Sequence, residues 1–356
     1  MKIEEKELFK ELCEFKSMSF EEKLLQYASP QVLGMLFFNR MQGIAYDRIK
    51  RSGVLGKVNR EFRNSLKYAY DQNIERNKSF FTCVDYLSGI LSTLPCKIAM
   101  LKGAYLCAHY PVGYRTSNDI DILVKSNDVT MVSAALISAG FTQGNIRNGE
   151  FVPATRKEII ESKMMRGETV PYIKEVNLPY MKYLEVDINF SLDYKNGDQD
   201  VLADLLDRST IVCENGISIP TLSQEDFFIH LCTHLHKEAT TLPWIEMKRD
   251  MTLYKYCDIY LLLAEMNNSD VNSVFTRAKN IRLEKVCAYA ILETLDLFDM
   301  RNNEIKDMCI YAVQDDPNFV VEVIAPKEKK KYRYKTASAT ERFFMDNRID
   351  DLEEVN

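Results

Sequence analysis

Glycine and proline are scarce, with 13 and 10 in 356 residues. That scarcity excludes a fibrous or loop-dominated chain and favours helix. No run approaches the ~20 apolar residues that a bilayer crossing requires. The opening Met1-Lys2-Ile3-Glu4-Glu5-Lys6 is charged where a secretory leader is apolar. A cytoplasmic protein without membrane contact is expected. No Cys-x-x-Cys pair occurs among the nine cysteines, which are odd in number and spread from Cys13 to Cys309. This speaks against a zinc or disulfide framework and for buried, reduced thiols. An excess of basic charge is missing as well. Lys+Arg total 46 against 52 Asp+Glu, a net charge of −6, so a dedicated duplex-DNA binder is not expected.

What is present reads as four stretches. Residues 1–95 are helical in pattern. Ser19-Phe20-Glu21-Glu22 has capping-box spacing, and Ser29-Pro30 reads as an N-cap followed by Pro at N1. Leu33, Leu36, Phe37, Met41 and Ile44 recur at helical spacing, as do Val58, Phe62, Leu66, Tyr70 and Ile74. The texture changes in 96–220. Ile98-Ala99-Met100-Leu101 is a short apolar run ending at Lys102-Gly103, with a short helix expected up to Pro111. Asp119–Val124 is the next strand candidate. Ser126 is expected to cap a helix over 127–139, with Gly140 at its C′ position. Residues 141–180 look irregular. Tyr183–Leu192 alternates as a strand, with Leu184, Val186, Ile188 and Phe190 on one face. Asn215-Gly216 signals a type I′ hairpin. Residues 221–315 return to helix, opened by the cap Ser223-Gln224-Glu225-Asp226. The charged tail 316–356 holds a basic run, Lys327–Lys335, and is expected to be a solvated extension.

The chemistry is concentrated in the middle stretch. Residues i and i+2 of a strand share a face, so Asp119 and Asp121 project side by side from an otherwise apolar segment. Like charges that both lose hydration are costly, and a divalent cation resolves the conflict. Two Mg²⁺ about 3.5–4 Å apart, bridged by carboxylates, are the arrangement used for phosphoryl or nucleotidyl transfer. Asp187 supplies a third acid on the polar face of its strand, with Glu185 and Asn189. It either completes the metal site or accepts the proton of an attacking hydroxyl, and Glu185 is the neighbouring candidate. Lys102-Gly103 is a phosphate-friendly corner, with a glycine for close approach and an ammonium in reach. Arg115 either holds a phosphate or stabilises the transition state, or else pairs with one of the aspartates to fix the loop. His230 and His234 have the i, i+4 spacing of a helical zinc site, but Leu231 stands where a metalloprotease needs its glutamate. For these two and His236, packing or contacts to nucleotide and acceptor are expected instead. Trp244 with Lys248-Arg249 reads as surface, or as a place for base stacking or acceptor phosphate.

Leu101-Lys102-Gly103, then Arg115 and Asp119-Ile120-Asp121-Ile122-Leu123-Val124, then Glu185-Val186-Asp187-Ile188 resemble the polymerase-beta-like nucleotidyltransferases. Within that superfamily the pattern is similar to an uncharacterised nucleotidyltransferase family of the type LKG…R…DIDLLV…VDLH. The similarity extends to Asn77-Lys78-Ser79, Thr221–Asp226, His230-Leu231, His234 and Asp258-Ile259, about residues 60–265. It implies an α+β fold, a small mixed sheet flanked by N- and C-terminal helical regions. It implies Mg²⁺ or Mn²⁺ and an NTP such as ATP. Asp119 and Asp121 would bind both metals and Asp187 the catalytic one, with Lys102, Gly103 and Arg115 on the nucleotide. The chain departs from the pattern twice. Gly103-Ala104 replaces the usual Gly-Ser corner, and Asn189 stands where a histidine often follows. The expected reaction moves an NMP to a hydroxyl acceptor and releases pyrophosphate. A small molecule or peptide acceptor is favoured, and RNA stays open through the Lys327–Lys335 run with Tyr332 and Tyr334. The alternative is a non-catalytic module that binds nucleotide or a partner.

Overall fold

The computed structural model describes every residue except 15, 17, 18, 192–198 and 356. Two compact units divide it: Tyr68–Phe227, and Met1–Lys67 together with Phe228–Asn356.

The first unit is built on a six-stranded sheet. Its strands are β1 (Ala99–Met100), β2 (Asp119–Leu123), β3 (Thr142–Arg147), β4 (Glu150–Pro153), β5 (Tyr172–Leu178) and β6 (Met181–Asn189). The order is β1-β2-β6-β5-β3-β4. Only β2 and β6 run parallel; every other neighbouring pair is antiparallel. The α+β architecture with a small mixed sheet is thus as expected. On β6, Leu184, Val186 and Ile188 are fully buried, and Ile120, Ile122 and Val124 meet them in one core. Phe80, Cys83, Val84, Leu87 and Leu91 of the 32-residue helix Arg60–Leu91 close that core at helical spacing. The 192 end of the expected strand 183–192 lies outside the described residues. The hairpin of β7 (Thr210–Glu214) and β8 (Ile217–Thr221) turns at Asn215 and Gly216, both at positive φ, as the dipeptide predicts.

Residues 141–180 are not irregular. They form β3, β4, the helix Arg156–Arg166 and β5. The strands at this end of the sheet are short and mostly half-exposed, so they carry little alternation to read. The helix did have a local signature. Thr155 and Glu158 form a reciprocal capping box and Gly167 ends it in the left-handed conformation. Ser126 is not an N-cap. It opens a 3₁₀ turn, Ser126–Asp128, and donates its hydroxyl to Gln199 Oε1 at 2.7 Å; the α-helix begins at Val129.

In the second unit, Ser29 caps the helix Pro30–Phe38 by accepting from Val32 N–H, with Pro30 at its first turn. The stripe from Leu33 to Ile44 is broken at Arg40, φ +57°, and a separate helix starts at Gln42. Ser19 is not the N-cap of the segment that follows, a 3₁₀ helix, Glu22–Tyr27, whose N-cap is Glu21. The charged tail is folded. Strands β9 (Glu322–Ala325), β10 (Lys330–Tyr334) and β11 (Leu352–Val355) form an antiparallel sheet in the order β11-β10-β9. Part of the basic run is paired across strands. Lys330 meets Glu354, Lys331 meets Glu322, and Arg333 lies in register with Glu353 and Glu322. Val323 and Tyr334 pack on Ile245, and Arg342 pairs with Glu293 in the interior. Among the described residues no helix is long and apolar enough to cross a membrane.

Candidate active site

The parallel pairing of β2 and β6 sets the site. Its register places Asp121 opposite Asp187 and Asp119 opposite Glu185, with Leu123 opposite Asn189. Because side chains alternate, the four acids share the face that the buried isoleucines and valines leave free. The sheet therefore brings together all three predicted aspartates, and the alternative Glu185 with them.

The corner after β1 closes the site from one flank. Lys102 sits at φ +37°, a conformation worth about 1–3 kcal/mol of strain for a residue with a Cβ. Its ammonium stands 3.2 Å from Asp121 Oδ2. Burial pulls its pKa down, but the charges of Asp121, Asp119 and Asp187 outweigh burial, and the net shift is upward. Gly103 starts the helix Gly103–His109, and a Cβ there would lie 2.5 Å from Ser117 Oγ. The glycine is thus required by a close approach. Ser117 in turn donates to Asp119 Oδ1 at 2.9 Å. Ser117, in the loop entering β2, thus brings a hydroxyl beside the corner where Gly103-Ala104 has none.

That loop is held by Asn77, which donates to Arg115 O and accepts from Gly113 N–H, both at 2.8 Å. Arg115 donates to Thr116 O at 2.5 Å. Asn189 donates to Asp121 Oδ1 at 3.2 Å, so it orients a carboxylate where the pattern often has histidine. Asp187 has its pKa pushed well up, first by burial and then by Asp121, Asp119, Glu168 and Glu185. Glu185 is raised by burial and by Asp119. Glu168 was not singled out from sequence. It joins the group because Glu168 bridges Asn189 across the edge of β6, a pairing with no local signature.

Among the described residues, no three His, Cys, Asp or Glu side chains stand as a ready ligand set for a metal ion. Both oxygens of Asp121 are engaged by Lys102 and Asn189, and Asp119 is engaged by Ser117. His230, His234 and His236 lie in the other unit. His234 meets Glu238 at 3.4 Å, and His236 stacks on Phe319 and meets Tyr289 edge-on. Trp244 is half-buried beside the Lys255 ammonium, while Lys248 and Arg249 are exposed.

Residues 29–299 match the model of a protein family described as uncharacterised nucleotidyltransferase. The chain belongs to this family. The matched span contains β1 to β8 and every residue of the acidic face. The family marks the chain as a nucleotidyltransferase-like transferase. No curated protein matches it. Among solved structures it is similar to an antigenic nucleotidyltransferase-like protein from Paracoccidioides brasiliensis. The identity is 12% and the TM-score 0.30, over 54% of this chain and 90% of the other. A likeness that distant says nothing about activity.

Proposed function

We propose that this family member transfers an NMP from an NTP to a hydroxyl acceptor, releases pyrophosphate, and uses Mg²⁺ or Mn²⁺ held by Asp119, Asp121 and Asp187. The observation that carries the reading is the β2/β6 register, Asp121 opposite Asp187. The donor chemistry fits a hard divalent cation, since the facing groups are all carboxylate oxygens. Burial first, and then the neighbouring carboxylates, raise the Asp187 pKa, so added positive charge there would be favourable. The strand register aligns them, and metal binding would require their side chains to turn away from Lys102, Asn189 and Ser117.

A bound divalent cation supplies charge that acidifies the acceptor hydroxyl and screens the triphosphate. The chain's own residues do the rest. Lys102, freed from Asp121, places its ammonium on the phosphates, with Arg115 as the second cation near them. Gly103 makes room for the Ser117 side chain, whose hydroxyl stands at that corner with the helix that Gly103 opens. Asp187, in its ionised form, is the carboxylate nearest to hand to take the proton from the attacking hydroxyl. Asn189 keeps Asp121 oriented. The acceptor oxygen bonds to the α-phosphorus as the bond to pyrophosphate breaks in line.

The Asp119→Ala, Asp121→Ala double variant should lose Mg²⁺-dependent pyrophosphate release and keep its circular dichroism spectrum. Unchanged turnover would discard the mechanism. The engagement of Asp121 by Lys102 and Asn189 favours one rival, a module that binds nucleotide without transfer. Nucleotide binding by the native protein with no pyrophosphate released in any acceptor mixture would identify it.

A further inference from the structure

One face of the helix Arg60–Leu91 changes character along its length. Phe80, Val84, Leu87 and Leu91 close the core of the sheet. Toward the N-terminus Tyr70, Asn73, Ile74 and Asn77 continue the same stripe at i, i+3, i+4 and i+7. This part of the stripe meets the segment 110–118, which joins the helix Gly103–His109 to β2 and forms neither helix nor strand. Gly113 is the point of contact. Its φ is +95°, and a Cβ there would stand 2.8 Å from the Tyr70 ring and 3.1 Å from Ile74. Only glycine lets the chain pass so close in that conformation. Asn73 donates to Gly113 O at 3.0 Å. Asn77, 1% exposed, accepts from Gly113 N–H and donates to Arg115 O, both at 2.8 Å.

The grip matters for what lies downstream of it. A side-chain amide carries a donor and an acceptor side by side, so one asparagine holds two main-chain groups two residues apart. Two residues beyond Arg115 stands Ser117. Its hydroxyl donates to Asp119 Oδ1 at 2.9 Å and fills the space that a Cβ on Gly103 would need. That fit leaves little tolerance, so the placing of the segment decides whether the hydroxyl reaches the Lys102-Gly103 corner. Ordering such a segment only when a ligand arrives costs conformational entropy, and holding it beforehand removes that cost.

We propose that Asn73 and Asn77 are positioning residues of the nucleotide site and act through Ser117. The inference rests on the nucleotide-binding part of the function proposed above. The helix holds the segment at Gly113 and Arg115, and the segment holds the Ser117 hydroxyl at the corner. When Asp119 turns to a cation, that hydroxyl is left for a phosphate oxygen of the nucleotide. The asparagines touch no substrate themselves. Gly113 belongs to the same device, because any side chain there would push the segment off the helix. Asp119, Asp121 and Asp187 are carried by β2 and β6 and keep their alignment without it.

The test is a double-mutant cycle on the full chain, read by titration with a fluorescent ATP analogue in Mg²⁺. Asn77→Ala and Ser117→Ala should each weaken binding by about ten-fold. The double variant should be within about two-fold of the weaker single one, because the asparagine has nothing left to position. A merely structural role predicts the other result, in which the two losses multiply. That outcome overturns the proposal, as does unchanged affinity in Asn77→Ala. The rise of Tm with Mg²⁺ in the absence of nucleotide should be the same in Asn77→Ala as in the native chain, and a loss of it there also overturns the proposal. If Asn77→Ala lacks the native circular dichroism spectrum, Asn73→Ala, which gives up a single hydrogen bond, takes its place in the cycle, with an expected loss of about three-fold. A native chain that binds no nucleotide overturns the clamp and the function together. Nucleotide binding with the predicted coupling but no pyrophosphate release counts against transfer alone and leaves the positioning role standing.

Discussion

Gly103, Ser117 and Asp119 form a chain of contacts in which each residue depends on the last. A methyl group on Gly103 would meet the Ser117 side chain at 2.5 and 2.8 Å, and Ser117 would have to release Asp119. Gly103→Ala should therefore weaken nucleotide binding by about ten-fold, the scale of one charge-assisted hydrogen bond. Adding Ser117→Gly should relieve the clash without restoring affinity; fluorescent-nucleotide titration of both variants checks this. His236 shows burial acting on a base. Its pKa is pushed down to about 4 by burial between Phe319 and Tyr289. Above pH ~6.5 folded and unfolded states are both neutral there, and no penalty arises. Below it the unfolded state binds a proton that the folded state refuses, so stability falls until pH nears 4. The loss is on the order of 3 kcal/mol, and His236→Phe should flatten the Tm-against-pH curve over that window. At this scale the aspartate pair was legible, because a period of two is a local property. Ser117 was not, because its approach to Gly103 is made only by the fold, and Glu168 was not, because it meets Asn189 on a strand distant in sequence.

Two elements changed meaning once folded. The basic run Lys327–Lys335 looks like a solvated or nucleic-acid-facing tail while its charges are counted alone. In β10, Lys330 pairs with Glu354 and Lys331 with Glu322 on the flanking strands, and Arg333 lies in register with Glu353 and Glu322. Arg342, farther along the same tail, is 1% exposed and pairs with Glu293, which is also buried. Arg342→Ala leaves that carboxylate without its partner and should cost about 3–5 kcal/mol, read from the shift in denaturant midpoint. A truly solvated tail would show no shift. The stretch 141–180 illustrates the opposite problem. Its capping box at Thr155 and Glu158 was readable, but its strands lie toward the polar end of the sheet and lack alternation. An open cleft beside Asp187 is built from this stretch, so its walls could not be assembled from pattern alone.

For the molecule as a whole, a mildly acidic balance conceals a local concentration of carboxylate between β2 and β6. If Asp119, Asp121 and Asp187 hold a divalent cation, Mg²⁺ stabilises the folded chain by mass action, about 2.7 kcal/mol at a hundred times its Kd. Tm should rise with Mg²⁺ in the native protein and not in Asp121→Asn. An equal rise in both would place the ion elsewhere. The changes of texture near residues 95 and 220 report where the local period shifts between helix and strand. Compactness divides the chain elsewhere, with residues 1–67 joined to 228–356, because that grouping depends on contacts between distant segments.

Residue order alone was enough for the helix-rich α+β class, the acidic strand with its two aspartates, the Asn215-Gly216 turn and the family resemblance. Each of these is written in spacing over a few positions, where backbone geometry dictates which side chains share a face. The pairing of β2 with β6, the arrival of Ser117 at Gly103, the cleft beyond Asp187 and the folding of the charged tail came only from the assembled molecule. Those features join residues tens of positions apart, and which of them meet is decided by burying a common core.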